Sequence, residues 1–523
     1  MVRKRDALIA AWAIALTAVC SSAGGCGGSS SSTFDPNAGS NSSDGGGGGG
    51  SPSGNSGSGS SSSGSGSGAG LFQSGPDATT GANGCTGLGC LVPANCTTSI
   101  SGTVYDPAGA NPLYDVVVFV PNDPAGSLPA IKVGTNTCSS CDVSIGNYVA
   151  ATTSDADGHF TLKGVPATTK VPLVVQIGKW RREVFLPEVK GCTDNVLSGS
   201  ASTRLPKNQQ EGNIPQMALV TGSADNLGCF LEGIGLDPAE YSAPHGGGRL
   251  DIYQGLSRGG GRAGGGGGRG GAPGLSTGGT AGDCSTDNPN CVWNSKTNLE
   301  AYDIVLLACE GNPYDPDDPD TNTPTNKTAT SKGALRDWLN EGGKAFATHF
   351  QYTWFKNSPG ADFRNVATWL GASNGDQMGN YDIDTTFPKG QVFAQWLANV
   401  KALTGTQIAL SQVADSVSTV NTPTQRWIYE ASSSDTKYFS FVTPLGGLAP
   451  SPDAGSEAQP QYCGKAVFSD LHAGGSPAGS IPASCSGPPL TPQLKALEFL
   501  FFDLSACVSN DGQPPPPPPQ PTK

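Results

Sequence analysis

The chain has 523 residues, with 30 Lys+Arg against 43 Asp+Glu, a net charge of -13, and 75 glycines, 41 prolines and 15 cysteines. An acidic chain repels the phosphate backbone, which excludes nucleic acid as a partner. The cysteine content points to an oxidising compartment, and long glycine- and proline-rich stretches cannot join a core.

Arg3, Lys4 and Arg5 precede an uncharged apolar run from Ala7 to Val19, the layout of a signal peptide. The run is shorter than the roughly 20 residues that cross a bilayer, and no later segment is apolar enough to span. Ala23-Gly24-Gly25-Cys26 resembles the small-small-Cys end of a bacterial lipobox. Cys26 is therefore the expected lipidation site, with Cys20, which abuts the apolar run, as the alternative. This predicts a lipoprotein of the cell envelope, outer membrane or cell surface; cleavage after Ala23 would instead give a secreted protein. Residues 27–84 are a Gly/Ser-rich disordered tether, and residues 509–523, with the run Pro514 to Pro519, a Pro-rich disordered tail. The folded material is expected between them.

Cys85, Cys90 and Cys96 open that material, Cys138 and Cys141 form a C-x-x-C, and Cys284 and Cys291 bracket a polar loop. In an oxidising compartment these seven read as disulfide candidates. A zinc site at Cys138 and Cys141 is the alternative, but no second pair of ligands lies nearby. Removal of Cys20 and lipidation of Cys26 leave an odd number, so one free thiol is expected. Cys309, at the end of a buried-looking strand, is the candidate.

From Ser99 to Pro187 apolar residues alternate with polar ones. Ile100 to Tyr105, Asp115 to Val120, His159 to Leu162 and Val171 to Ile177 read as short strands between Gly, Pro and Asp turns, which predicts an all-β sandwich over residues 85–212. Asp155-Ala156-Asp157-Gly158 reads as a tight hairpin turn with Gly158 at positive φ rather than a calcium loop, since a distant glutamate is lacking. Ser101-Gly102-Thr103-Val104, Asn111-Pro112-Leu113 leading to Val116-Val117-Val118, and Ser154 to Leu162 resemble, in that order, the carboxypeptidase regulatory-like domain, a transthyretin-like sandwich often compared with carbohydrate-binding folds. The resemblance implies an accessory module without chemistry of its own. No H-x-x-E or H-E-x-x-H is present, and His159, His245, His349 and His472 are the four histidines, so a carboxypeptidase zinc has no ligands here.

The period then changes. Gln216 to Val220 reads as a strand running into a helix capped by Asp225 and reaching Ile234. After a Gly-rich insert at 246–283 come the strand Ile304 to Leu307, a helix from Gly333 to Asn340, the strand Ala345 to Ala347, a late strand at Val467-Phe468, and a final helix from Leu494 to Leu504. Unbroken apolar strands followed by helices predict a parallel sheet covered on both faces, an α/β domain over residues 213–508. Arg258, Arg262 and Arg269 in the insert read as a solvated loop.

Tyr302 to Leu307, Leu335 to His349 and Lys465 to His472 resemble the class I glutamine amidotransferase-like superfamily, closest to its ThuA-like branch. That resemblance implies a flavodoxin-like parallel sheet. It also implies a nucleophilic cysteine where His349 stands and a glutamate where Gly474 stands, so glutamine hydrolysis is not expected. What remains is His349 and His472 at the C-terminal ends of two strands, where open α/β sheets form their clefts. Histidines there could hold a metal or act as acid and base, and Cys309 and Glu310 sit at a third strand end. His245-Gly246-Gly247-Gly248 resembles a lipase oxyanion sequence, but no G-x-S-x-G supplies a nucleophile, and low-complexity glycine accounts for it. Asp315, Asp317, Asp318 and Asp320 read as a solvated acidic loop.

These features together predict a multidomain envelope lipoprotein that acts by binding, with a membrane contact through its lipid and a saccharide or a surface protein as partner. The alternative is a hydrolase or sugar-modifying enzyme using His349 and His472, with Cys309 or Glu310 assisting. No motif calls for a cofactor.

Overall fold

The computed structural model describes residues 85–123, 128–134, 138, 145–256, 272–276, 291–321, 324–373, 377–448, 461–474, 479–485 and 490–514. The segments expected as signal peptide and tether, with Cys20 and Cys26, and Cys141, Cys284, the three insert arginines and residues 515–523 lie outside them.

The alternating N-terminal segment forms seven strands in two sheets. His159–Lys163, Ser99–Thr103 and Asp194–Val196 make one, and Tyr148–Thr153, Val117–Pro121, Thr169–Ile177 and Trp180–Glu188 make the other. Ile100, Val118, Leu162, Leu173 and Val175 meet in a shared apolar core, each burial contributing about 1.5–3 kcal/mol. Gly158 takes φ 72, and Asp155 Oδ1 accepts the backbone N–H groups of Asp157 and His159, both at 2.9 Å. The turn is tight as expected, but it is not a hairpin. Its flanking strands belong to different sheets, so it carries the chain from one layer to the other.

An eleven-stranded mixed sheet follows. In spatial order it runs Leu403–Thr404, Gln407–Val413, Gln377–Ile383, Gln425–Tyr429, Thr436–Thr443, Gly464–Ser469, Lys344–Thr348, Ile304–Leu307, Met217–Thr221, Leu250–Gln254 and Tyr241–Ser242. The last six are parallel; the first five extend the sheet antiparallel. Successive side chains in the parallel strands point to opposite faces. Met217, Leu219, Ile304, Leu306, Phe346 and Val467 join one core, and Ala218, Val220, Val305, Leu307, Ala345 and Phe468 the other. The helix Ala329–Asn340 adds Leu335 and Trp338 to the second core, and the helix Pro492–Ser505 adds Leu497, Leu500 and Phe501 to the first.

The first core runs without a break into the two small sheets, so the expected boundary near residue 212 is a packed junction. Trp180 lies edge-on to Phe501 and Phe502 at 6.4 and 6.0 Å, and Tyr114 stacks on Phe499 at 6.2 Å. Trp396 donates to the Pro112 carbonyl at 2.7 Å. A Cβ at Gly178, where φ is 53, would strike the Ser505 carbonyl, so only glycine lets this turn meet the end of the final helix.

Several local expectations are corrected. The stretch expected as a disordered tail from residue 509 starts inside the fold, since Asp511 is buried and pairs with Lys389 at 3.0 Å and Lys465 at 2.6 Å. The helix Leu227–Gly233 is capped by Asn226, whose side chain accepts from Cys229 N at 3.2 Å, and not by Asp225. The glycine-rich stretch placed at 246–283 contains a core strand, Leu250–Gln254, whose apolar positions were masked by the glycines around it. His245 and its glycines form an ordered turn, with His245 N donating to Asp251 Oδ2 at 2.8 Å. The acidic loop is solvated only in part: Asp317 and Asp320 are exposed, whereas Asp315 and Asp318 are buried, with Lys332 pairing with Asp315 and Asp317 at 2.7 Å each and Lys356 with Asp318 at 3.1 Å.

The disulfides are mostly long-range. Cys85 bonds Cys90, Cys96 bonds Cys192, Cys138 bonds Cys463, and Cys229 bonds Cys485; Cys291 is also disulfide-bonded. The C-x-x-C is thus not an internal pair, because Cys138 reaches across 325 residues. No helix of the described residues is long and apolar enough to cross a membrane.

Candidate functional site

Four neighbouring parallel strands end at the same edge of the large sheet, and each delivers one chemically capable side chain just past its end. Met217–Thr221 leads to Asp225, Ile304–Leu307 to Cys309, Lys344–Thr348 to His349, and Gly464–Ser469 to His472. Parallel register brings these ends level, with Thr348 opposite Ser469 and Ala347 opposite Leu307. Close backbone approach narrows the edge further, since a Cβ at Gly222 would strike the Cys309 carbonyl oxygen.

Cys309 Sγ lies 3.4 Å from His349 Nδ1, and the His349 and His472 rings meet edge to face with centroids 4.9 Å apart. One ligand atom from each of Cys309, His349 and His472 falls within 4.8 Å of the others. His349 Nε2 is 3.1 Å from the Ser373 carbonyl, which can only accept, so Nε2 carries the proton and Nδ1 presents its lone pair to the thiol. His472 Nδ1 faces Asp225 Oδ2 at 3.8 Å. Asp225 is itself fixed from the backbone, its Oδ1 accepting from Asn226 N at 3.0 Å and from Ala473 N.

His349 occupies φ 41, a left-handed conformation that is uncommon for a residue with a Cβ. The sharp turn after Thr348 enforces it, as the chain passes straight from strand into the short helical turn His349–Tyr352. The ring is then stacked on Phe350 at 3.9 Å.

The cluster is closed to solvent, with Cys309 0%, His349 2% and His472 5% exposed. Burial pushes the Cys309 thiol up to about 12, with the Asp225 charge adding to the rise and N–H groups of Phe350 and Gly311 opposing it. Burial, followed by the neighbouring His472, holds His349 well below the ordinary histidine range. Burial also raises Asp225, against the pull of His472. At neutral pH His349 and Cys309 are therefore uncharged.

Glu310 stands apart from this group. Its carboxylate accepts from Leu256 N at 2.7 Å, Asn326 at 3.1 Å, Gln351 at 3.3 Å and the fully buried Lys327 at 2.7 Å. Those four bonds hold the loop after Cys309 and leave the carboxylate committed. Asp225 is the member that sequence reasoning missed. Its signal was its place after a parallel strand, the same place that singled out both histidines. Asp155, Asp157 and His159 also come together, but on the surface, where Asp155 is spent on the turn.

No protein-family profile and no curated protein sequence matches the chain. Among solved structures, a cytoplasmic protein of Salmonella typhimurium is similar at a TM-score of 0.24 and 12% identity, over 43% of this chain and 83% of that one. A ThuA-like protein of Bacteroides uniformis is similar at a TM-score of 0.25 and 11% identity, over 55% of this chain and 89% of that one.

Proposed function

We propose that the protein is exported, is held in the cell envelope by a lipid on Cys26, and acts there by binding rather than by turning over a substrate. Disulfides that join distant parts of the chain support export, because such bonds form and persist in oxidising compartments. The observation that carries binding over turnover is the closure of the histidine cluster. A reacting bond must come within about 3–3.5 Å of its catalytic groups, and both rings and the thiol are covered.

Two finer assignments go with this proposal. With the two-residue edge strand set aside, the parallel strands run second, first, third, fourth, fifth in chain order, the doubly wound order of flavodoxin-like sheets. The two small sheets, packed on one shared core, are read as the sandwich that the resemblance to the carboxypeptidase regulatory-like domain implies. On that sandwich Phe185 is 52% exposed in the edge strand Trp180–Glu188, and an exposed aromatic face is a surface on which a sugar ring can stack.

The hydrolase alternative keeps one observation in its favour, the 3.4 Å contact between Cys309 Sγ and His349 Nδ1, the arrangement a thiol nucleophile and its base require. A thiol raised to about 12 beside a neutral histidine counts against it.

The exported chain, presented to an array of glycans, is expected to retain a glycan without cleaving it, and Phe185→Ala to lose it. Cleavage of any glycoside that stops in Cys309→Ser would overturn the binding reading. Labelling with a radioactive fatty acid tests the anchor: the label is expected on wild type and absent from Cys26→Ser, and a label that survives the substitution would refute that site.

A further inference from the structure

We propose that Cys309, His349 and His472 form a buried mononuclear site for a divalent transition ion of the zinc and copper class, with Asp225 and the Ser373 carbonyl as the outer groups that orient its ligands. This goes beyond the envelope-binding reading and does not depend on any glycan.

The argument starts from spacing. A tetrahedral ion with a metal–sulfur bond near 2.3 Å and metal–nitrogen bonds near 2.0–2.1 Å separates sulfur from nitrogen by roughly 3.6 Å. Cys309 Sγ and His349 Nδ1 already stand 3.4 Å apart, and His472 completes a set within 4.8 Å. Small ring rotations close the rest.

The second argument is the outer shell. Metal-bound histidines nearly always pass their other ring N–H to a carbonyl or carboxylate. His349 gives Nε2 to the Ser373 carbonyl, leaving Nδ1 inward beside the thiol. His472 faces the Asp225 carboxylate across 3.8 Å, an ion-pair distance rather than a hydrogen bond, and brings one ring nitrogen into the set within 4.8 Å.

Charge is the third argument. A dication bound to a Cys309 thiolate, with Asp225 ionised behind His472, sums to neutrality in a closed site, which a lone buried charge cannot achieve. One sulfur and two imidazoles select zinc or copper over magnesium and calcium, which take oxygen ligands. A fourth position would be left to water or another small donor.

The test uses the full exported chain, stripped with a chelator and titrated with Co(II), which takes zinc's place and reports its ligands. Saturation near about one ion per chain, with a strong thiolate-to-cobalt band, is expected. Cys309→Ser should abolish that band, whereas Cys507→Ser should leave it unchanged, Cys507 being, with Cys309, one of two described cysteines outside the disulfides rather than the single one expected. Asp225→Asn, altering a positioning residue, should weaken affinity about 10–100-fold while keeping the band. Should Cys309→Ser fail to fold, X-ray absorption of the zinc-loaded wild type decides, with one sulfur scatterer at about 2.3 Å expected. No saturable Co(II) band in the wild type, a band that persists in Cys309→Ser, or a zinc shell without sulfur would overturn the proposal.

Discussion

The adjacent strands Lys344–Thr348 and Gly464–Ser469 carry a buried polar cluster at each end, and the two ends differ in kind. Near the N-terminal end Lys465 bonds Asp511 at 2.6 Å and also Asp503, while Lys389 reaches the same pair at 2.9 and 3.0 Å. Lys344 beside them donates to the Ser505 and Ala506 carbonyls at the end of the final helix, at 3.1 and 2.6 Å. Burial by itself would raise Asp503 and lower Lys389, yet Asp503 is held well below and Lys389 well above their ordinary values, because the facing charges outweigh burial. At the C-terminal end nothing outweighs burial for Cys309 and His349, and both are neutral. One cluster is complete with its own charges; the other brings together the uncharged ligand-type groups Cys309 and His349 beside His472.

Breaking the charged end should have the largest effect. Lys465→Met leaves two buried carboxylates facing one lysine and is expected to cost about 3–5 kcal/mol in urea unfolding; a cost under about 1 kcal/mol would erase the contrast between the ends. The next effect is a pH dependence that belongs to the C-terminal end. Burial raises Asp470, one residue past its strand, to about 7. The folded state then holds a proton that the unfolded chain, with a carboxyl near about 3.9, has lost. Stability is accordingly highest below about pH 4 for this group and falls as pH rises to 7, by up to about 4 kcal/mol. Asp470→Asn should flatten that fall, measured as unfolding midpoints at pH 5 and pH 8.

Smaller effects sharpen the comparison. In the metal-free chain His349→Asn and His472→Asn should each cost about 1–2 kcal/mol, since no charge is orphaned; a loss matching Lys465→Met would make the cluster a structural one. Asn226→Ala should cost about 1 kcal/mol through the lost helix cap. It should leave Co(II) affinity unchanged, separating the cap from its neighbour Asp225.

Much of this was legible in the chain because the information is local. The unbroken runs at Ile304–Leu307 and Ala345 to Ala347, each followed by a helix pattern, gave the parallel core, and the strand ends gave His349, His472 and Cys309. Two kinds of feature were not legible. Trp180–Glu188 carries charged residues between its apolar ones, and Gln377–Ile383 begins with four exposed positions, so their strand character comes from pairing partners rather than from their own pattern. Pairings between distant residues are set by topology: Cys138 with Cys463, and Asp225 beside His472, leave no mark in spacing. The lysines that neutralise Asp315, Asp317 and Asp318 lie 15 to 38 residues away, which is why that loop looked solvated.

The central claim is that the four strand ends build one metal-ready site. Anomalous difference density from crystals of the full chain grown with zinc tests it most directly. A single strong peak within bonding distance of Cys309 Sγ, His349 Nδ1 and a His472 ring nitrogen is the predicted result. Zinc seated elsewhere, or His349 and His472 turned apart around an empty space, would contradict it.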